Sequence, residues 1–434
     1  MSTIAEDLYA KLVNDEDARV CREISEDACR EVPSSFVLHV SSSLLTKLGD
    51  TLANPKTTLT WMMDAVGAPV ALTGLLVPIR ESGSLIPQLA IAAIVRRRPV
   101  RKWVWVIGSL IQSAAVFAMA LAAWLLQGVA AGAAIVTALV VFSLARGLSS
   151  VASKDVLGKT IPKTRRGRVT GLSSSLAGFA TLGAGAVLVV LAVDDSATET
   201  FLVLLSAAAF LWVAAAALYS RINEEPGETD GGGNALTEAL ARLALLRSDR
   251  PFRSFVVTRA LLLCSALSAP YYVLLAREHT RGFDGQLGLF VVAGGLASSV
   301  SAPFWGRLAD WSSRRVMGVA ALITGSLGLV VFAVEQTAPI IGGSLWFYPL
   351  AYFVLTVAHS GVRLGRKTYV VDLAQGNRRT DYVAVSNTVI GVILLILGAT
   401  GAVAQALSVP LVILVLSLFG LAGAAMSRTL PDVT

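Results

Sequence analysis

The chain has 434 residues, of which 55% are hydrophobic and only 15% charged, with a formal net charge of +7 and a pI of about 9.5. A soluble domain carries about a quarter charged residues, so this chain has more apolar surface than a water-soluble core can hide, and its solvent is lipid. The basic balance does not point to nucleic acid, because the cations sit in short clusters between long apolar runs.

Residues 1–35 are acidic and hold no long apolar run. They lack the basic start and apolar centre of a signal peptide and are expected to form a cytosolic amphipathic helix or tail. Cys21 and Cys29 lie there and Cys264 far away, a pattern that fits ordinary reduced thiols and no metal site. Ala, Leu, Val and Gly then predominate, without the polar–apolar alternation of a transmembrane barrel, so the spans are helices. Twelve are expected, near 36–58, 67–95, 103–127, 133–153, 168–193 and 200–220, then 253–276, 286–306, 316–335, 345–365, 381–406 and 408–427. Most match the ~20 apolar residues that cross a bilayer. The first is the weakest, because Lys47, Asp50, Asn54 and Pro55 interrupt it. Without it there would be eleven spans and an N-terminus on the other side.

A repeat supports keeping it. Lys154, Arg165, Arg166, Ser173, Gly178 and Gly185 recur as Lys367, Arg378, Arg379, Ser386, Gly391 and Gly398, each 213 positions later (367 − 154). Pro87 and Arg98 recur as Pro303 and Arg314 at 216 (303 − 87). A half-length repeat is what a duplicated helical bundle leaves behind. The organisation expected is a tail at 1–35, a six-helix bundle at 36–221, a linker at 222–252, a second bundle at 253–427 and a tail at 428–434. In the linker, Leu236, Leu240, Leu243 and Leu246 repeat at helical spacing beside Arg242 and Arg247, as in a short surface helix. Arginine and lysine cluster after spans two, four, eight and ten, so the positive-inside rule puts these loops and both termini in the cytoplasm. The opposite loops hold only Lys56, Arg277 and Arg281.

The loop after span eight reads Gly306-Arg307-Leu308-Ala309-Asp310-Trp311-Ser312-Ser313-Arg314-Arg315. With twelve spans, two halves and a central linker, it resembles the cytoplasmic loop signature of the major facilitator superfamily, over about residues 36–427. The resemblance implies two pseudo-symmetric six-helix bundles, all α. It also implies a latch in which Gly306, Asp310, Arg314 and Arg315 meet the basic loop of Arg165, Arg166 and Arg168. Plain surface anchoring by these cations is the alternative. The first-half loop, Ala93 to Trp103, keeps the cations but has no Gly and no Asp. The glycines of the drug-exporting branch appear in span five as Gly178, Gly183 and Gly185 without its proline, and Arg146-Gly147 matches its span-four pattern only in part.

Ionisable residues inside spans mark a functional site by default. Lys47 and Asp50 stand one helical turn apart and can pair. Arg80 and Glu81 stand between Pro78 and Gly83 and point about 100° apart, so one can face a cavity while the other meets Lys47 or Asp50. Glu81 and Asp50, beside Lys47, are the candidates for a coupling proton; a structural ion pair between spans one and two is the alternative. Arg80, Arg146 and Arg259 are the candidate clamps for an anion, because deep cations outnumber deep acids and arginine forks around carboxylate or phosphate. Snorkelling of Arg146 and Arg259 to the surface is the other reading. His359 and Arg363 lie further along span ten. There is no nucleotide loop, zinc pattern or nucleophile elbow. The expectation is a secondary transporter in the plasma or inner membrane, acting as a monomer without metal or cofactor and moving a small organic anion with a proton or another ion. A multidrug exporter and a non-transporting scaffold are the alternatives.

Overall fold

The structure, a computed structural model, describes residues 30–433 except 88–90, 92–93, 191–196, 228, 230–242, 280–283, 310 and 374–377. The chain is an all-α membrane fold of twelve spans in two halves. The first half contains α1 (Val32–Leu52), α2 (Thr58–Ala65), α3 (Leu76–Leu85), α4 (Lys102–Leu125), α5 (Gly128–Thr160), α6 (Lys163–Val190) and α7 (Thr198–Tyr219). The second contains α8 (Arg250–Leu261), α9 (Cys264–His279), α10 (Gln286–Ala309), α11 (Ser313–Thr337), α12 (Phe347–Leu373), α13 (Arg378–Leu397), α14 (Thr400–Ala406) and α15 (Val409–Ser427).

Several spans are broken, and the breaks have local causes. The first consists of α1 and α2 around residues 53–57, and it runs seven residues past the expected end near 58. Pro55 has no N–H to give the helix. Asn54 Oδ1 accepts from the Lys56 amide at 2.9 Å, and Thr60 Oγ1 donates to the Pro55 carbonyl at 2.8 Å, so the freed groups are satisfied within the bend. The seventh span divides into α8 and α9, and the eleventh into α13 and α14. Helix starts follow the usual chemistry: Asp249 accepts from the Phe252 amide at 3.0 Å and Ser408 from the Leu411 amide at 3.3 Å, each with a proline in the first turn.

Among the described residues, nine helices are long and apolar enough to cross a membrane. They are spans three to nine, eleven and twelve. The remaining three carry Lys47 and Asp50, Arg80 and Glu81, and His359 and Arg363.

The halves meet along two seams of small residues. Where α6 crosses α10, a side chain at Gly185 would meet the Val292 backbone nitrogen at 2.8 Å, and one at Gly288 the Val189 nitrogen at 2.8 Å. Where the second span meets the eleventh, a side chain at Gly401 would meet Gly74 Cα at 2.7 Å, and Ser82 Oγ donates to the Gly391 carbonyl at 2.9 Å. With no difference in hydrophobicity between lipid and side chain, such close backbone packing is what holds helices together in a membrane. The end of the bundle away from the described termini is closed by polar contacts as well. Arg277 of α9 pairs with Asp64 of α2 at 2.9 Å and lies 5.4 Å over the Trp61 ring, and Gln405 Oε1 accepts from the Ala71 amide at 3.0 Å.

Residues 1–29, with Cys21 and Cys29, lie outside the described residues, as do Leu236, Leu240, Arg242 and Arg281. Leu243 and Leu246 of the linker pack against the second-half cluster around Phe252 and Phe255.

Candidate functional site

Between the halves lies a cavity of about 440 Å³, walled by α1 with its bend, α6, α9, α10 and α12. Lys47, Lys56 and Arg363 face it, with His359, and no carboxylate is among its described lining residues. Hydroxyls such as Thr51, Ser174, Thr181 and Ser360 supply much of the polar wall, and Phe290 and Tyr352 supply two ring faces. The bend at 53–57 is what turns Lys56 inward. Sequence reasoning placed this lysine in the outer loop, because it assumed that the first span ended near 58. The apolar residues Leu59, Trp61, Met62 and Met63 beyond Pro55 and Lys56 were the available signal that the span continues.

Lys56 Nζ lies 3.1 Å from His359 Nε2, and His359 Nδ1 lies 3.0 Å from Ser265 Oγ. An ammonium has no lone pair, so Nε2 accepts and the ring proton sits on Nδ1, directed at Ser265. Ser265 in turn donates to the Leu262 carbonyl at 3.0 Å. This directed chain runs from the first half across the cavity into the second. Lys47 Nζ donates to Ser174 Oγ at 2.7 Å, and Thr51 and Thr181 are hydrogen-bonded at 3.1 Å, so α1 and α6 are tied along the same wall.

The charges singled out from the sequence are distributed differently from a single cavity-facing set. Asp50 does not pair with Lys47. It accepts from Arg80 Nη2 at 3.1 Å and forms a second, short ion pair with Arg146, which joins spans one, two and four. The Arg80 guanidinium also lies 5.0 Å over the Phe142 ring. Glu81, the next residue, has the charges of Lys56, Arg363, Arg366 and Arg80 as its electrostatic neighbours. Arg259 is buried, at 6% exposure, and donates to Ser386 Oγ at 2.7 Å and Asn387 Oδ1 at 2.9 Å on α13. Arg80, Arg146 and Arg259 are absent from the described cavity lining.

Asp310, the centre of the latch motif, lies outside the described residues. Around Gly306 there is open space where a side chain would go, so no close helix approach depends on this glycine here. Arg314 donates to the Leu430 carbonyl at 2.8 Å and pairs with Asp432 at 3.0 Å, which draws the C-terminal residues onto α11. Arg315 is exposed, Arg165 is buried, and Arg166 donates to the carbonyls of Gly158 at 2.7 Å and Ile161 at 2.9 Å. In the first half, the loop without an Asp receives a carboxylate from elsewhere. Glu224, with its side chain fully buried, accepts from the amides of Arg101 at 3.0 Å and Lys102 at 2.6 Å and pairs with Lys159 at 2.9 Å. Arg101 also pairs with Asp155. Glu224 therefore caps the start of α4 from the linker side. Its role was hidden from the sequence because partner and loop are 123 residues apart.

The arrangement can hold an anion among three cations and can bridge two halves through one histidine. Comparison with known proteins places it. The family model described as Major Facilitator Superfamily matches residues 40–399. Among solved structures, a D-xylose–proton symporter superposes with a TM-score of 0.69 at 14% identity, covering 92% of this chain and 98% of its own. A POT family transporter in complex with a thioalcohol-conjugated peptide reaches 0.70 at 11%, covering 91% and 95%. These likenesses concern the fold. An uncharacterized protein of Mycobacterium tuberculosis and one of Mycobacterium bovis are each 26% identical over 271 residues, 60% of this chain and 50% of theirs. The chain thus matches about half the length of these curated relatives. With the family match running over most of its length and the twelve-span fold agreeing, the chain belongs to the major facilitator superfamily.

Proposed function

We propose that this secondary transporter moves a small organic anion by alternating access of its two halves around the central cavity. The observation that carries the reading is the cavity's lining: Lys47, Lys56 and Arg363 face it, and no described lining residue is a carboxylate. Such a site attracts carboxylate or phosphate groups and repels the cationic amphiphiles that a multidrug exporter takes. The anion sits on Lys56, Arg363 and Lys47. Arg80, Arg146 and Arg259 are absent from the described cavity lining and hydrogen-bond to acceptors in the walls instead.

The coupling ion in this reading is the proton, with Glu81 as its carrier. Glu81 has cations from both halves as neighbours, whereas Asp50 is shared by two guanidinium groups. In this reading both termini lie in the cytoplasm, which the clustered basic loops support, and the protein works as a monomer in the plasma or inner membrane. The cavity is then closed on the outer side by Asp64–Arg277.

The test is a thermal-shift screen of purified protein against small carboxylates, phosphates, sugars, nucleosides and amphiphilic cations, followed by uptake into proteoliposomes. One anionic class stabilises the protein, and Lys56→Met with Arg363→Met abolishes that stabilisation. Stabilisation by a neutral or cationic class that survives both substitutions overturns the anion reading. Proton-coupled flux that continues at full rate, with unchanged pH dependence, in Glu81→Gln removes Glu81 as the carrier.

A further inference from the structure

A second concavity lies far from the central one, in a groove between α11 and the end of α15. It has a volume of about 310 Å³ and is lined by Arg314, Arg315 and Arg428 together with Gly318, Val319 and Leu322. Arg315, Val319 and Leu322 follow at i, i+4 and i+7, so they share one face of α11. The groove therefore has a cationic end and an apolar end along a single helix face. The apolar end is open to the surroundings, with Val319 at 42% and Leu322 at 44% exposure. Gly318 forms part of the floor, where any side chain would meet Ser427 Oγ at 2.6 Å.

The position in the fold says what can reach it. Arg315 stands at the first turn of one span, and Arg428 directly follows the last residue of another. Both therefore lie at the depth of the lipid headgroups, with Val319 and Leu322 one and two turns deeper in the hydrocarbon. Trp311, 77% exposed in the adjoining loop, is the amphipathic ring expected at that level. The charge is one-sided: of the three arginines, Arg314 is paired with Asp432, while Arg315 and Arg428 are exposed with no ion pair to another described residue.

We propose that this groove is a binding site for an acidic phospholipid, with its phosphate between Arg315 and Arg428 and one acyl chain along Val319 and Leu322. Guanidinium groups match phosphate oxygens in forked geometry, and an anionic headgroup adds attraction that a zwitterionic one cancels. The apolar wall distinguishes the occupant from free phosphate, which has nothing to lay against Val319 and Leu322.

The test uses the full chain purified in a mild nonionic detergent, titrated with phosphatidylglycerol, phosphatidylcholine or inorganic phosphate and read by native mass spectrometry and thermal stability. Phosphatidylglycerol is expected to be retained and to stabilise the protein, with phosphatidylcholine weaker by about tenfold. Arg315→Gln with Arg428→Gln should weaken phosphatidylglycerol by about tenfold or more while leaving the lipid-free melting temperature unchanged, because neither arginine holds a structural ion pair. Leu322→Trp, which keeps every arginine but fills the apolar end, should weaken it as well. Equal retention of the two lipids, undiminished phosphatidylglycerol binding in the double variant, or protection by millimolar inorganic phosphate equal to that by the lipid would each overturn the proposal.

Discussion

Arg146 of α5 and His359 of α12 stand at corresponding places in the two halves, 213 positions apart (359 − 146), the same offset as the repeated basic stretches. Their partners differ. Arg146 meets Asp50 inside its own half, where Asp50 also holds Arg80. His359 has no such acid among the described residues and reaches across the cavity to Lys56 of the other half. At this pair of positions, the first half settles the charge of Arg146 internally, and the second turns its polar side chain to the other half. The same scaffold occurs twice, with the Asp50–Arg80–Arg146 triad inside one half and the Lys56–His359 bridge between the two. A transporter needs both, because rigid halves must rock around contacts that can be broken and remade.

The triad is the place where that contrast breaks most severely. In Asp50→Asn, Arg80 and Arg146 lose their shared carboxylate, and the stability loss is expected to be about 3 kcal/mol, as for other largely buried ion pairs deprived of one partner. Adding Arg146→Gln should recover part of the loss, because one stranded cation is gone. Melting temperatures of the three variants in one detergent decide this, and an unchanged Asp50→Asn would mean that the triad is not structural. The bridge comes next. Lys56→Met should weaken the stabilising anion by about tenfold to a hundredfold, the value of one charge-assisted hydrogen bond, and cost about 1 kcal/mol in the anion-free protein because His359 Nε2 loses its donor. His359→Leu removes the acceptor for Lys56 and leaves Ser265 without its ring partner, at a cost of about 1–2 kcal/mol. It should also change the anion midpoint, whereas Asp50→Asn should mainly change stability. Arg259→Lys should cost about 1 kcal/mol and leave anion binding alone, because an ammonium cannot serve Ser386 and Asn387 together as the guanidinium fork does.

Much of this architecture was legible in the order of residues, and the parts that were not have physical causes. Among the described residues, nine spans stand out by apolar length alone. Of the other three, the first and the tenth carry several polar and charged residues that lower their hydropathy, and the described helix of the second, Leu76–Leu85, is short. The repeat revealed the first of these, yet only its beginning. Pro55 breaks the span without ending it, and Lys56 passes from an expected loop into the cavity wall. Arg80 and Glu81 were separable by the 100° between neighbours on a helix, which puts Arg80 against Asp50 and Glu81 near Lys56 and Arg363. Lys47 beside Asp50 was a plausible pair by spacing, but two arginines from other spans compete for the same carboxylate, and a guanidinium is less strongly hydrated than an ammonium. Glu224 capping α4 could not be read at all, because a partner more than a hundred residues away leaves no periodicity behind.

The weakest effect expected concerns the other end of the bundle. Lys154 and Lys367 are repeat partners, and in the folded chain each lies within electrostatic range of the other. Like charges on opposite halves favour their separation by a few tenths of a kcal/mol, about the size measured for neighbouring like charges on a helix. At the far end, Asp64 and Arg277 pull the halves together with opposite charges. The two contacts act in the same rotational sense, and both favour a cavity open towards the end that carries Lys154 and Lys367. Lys367→Gln should therefore shift the population slightly towards the alternative state. A cysteine at Ser298, an exposed position in the cavity wall, reports this in a background without Cys21, Cys29 and Cys264. Its labelling by a membrane-impermeant maleimide, applied from the Lys367 side, should slow by about twofold in Lys367→Gln. The same substitution made together with Lys154→Gln should slow it no further, because the repulsion is already gone once one partner is neutral. Additive slowing would show that each lysine acts on its own surroundings, and the repeated cations would then be anchors in each half and not a spring between them.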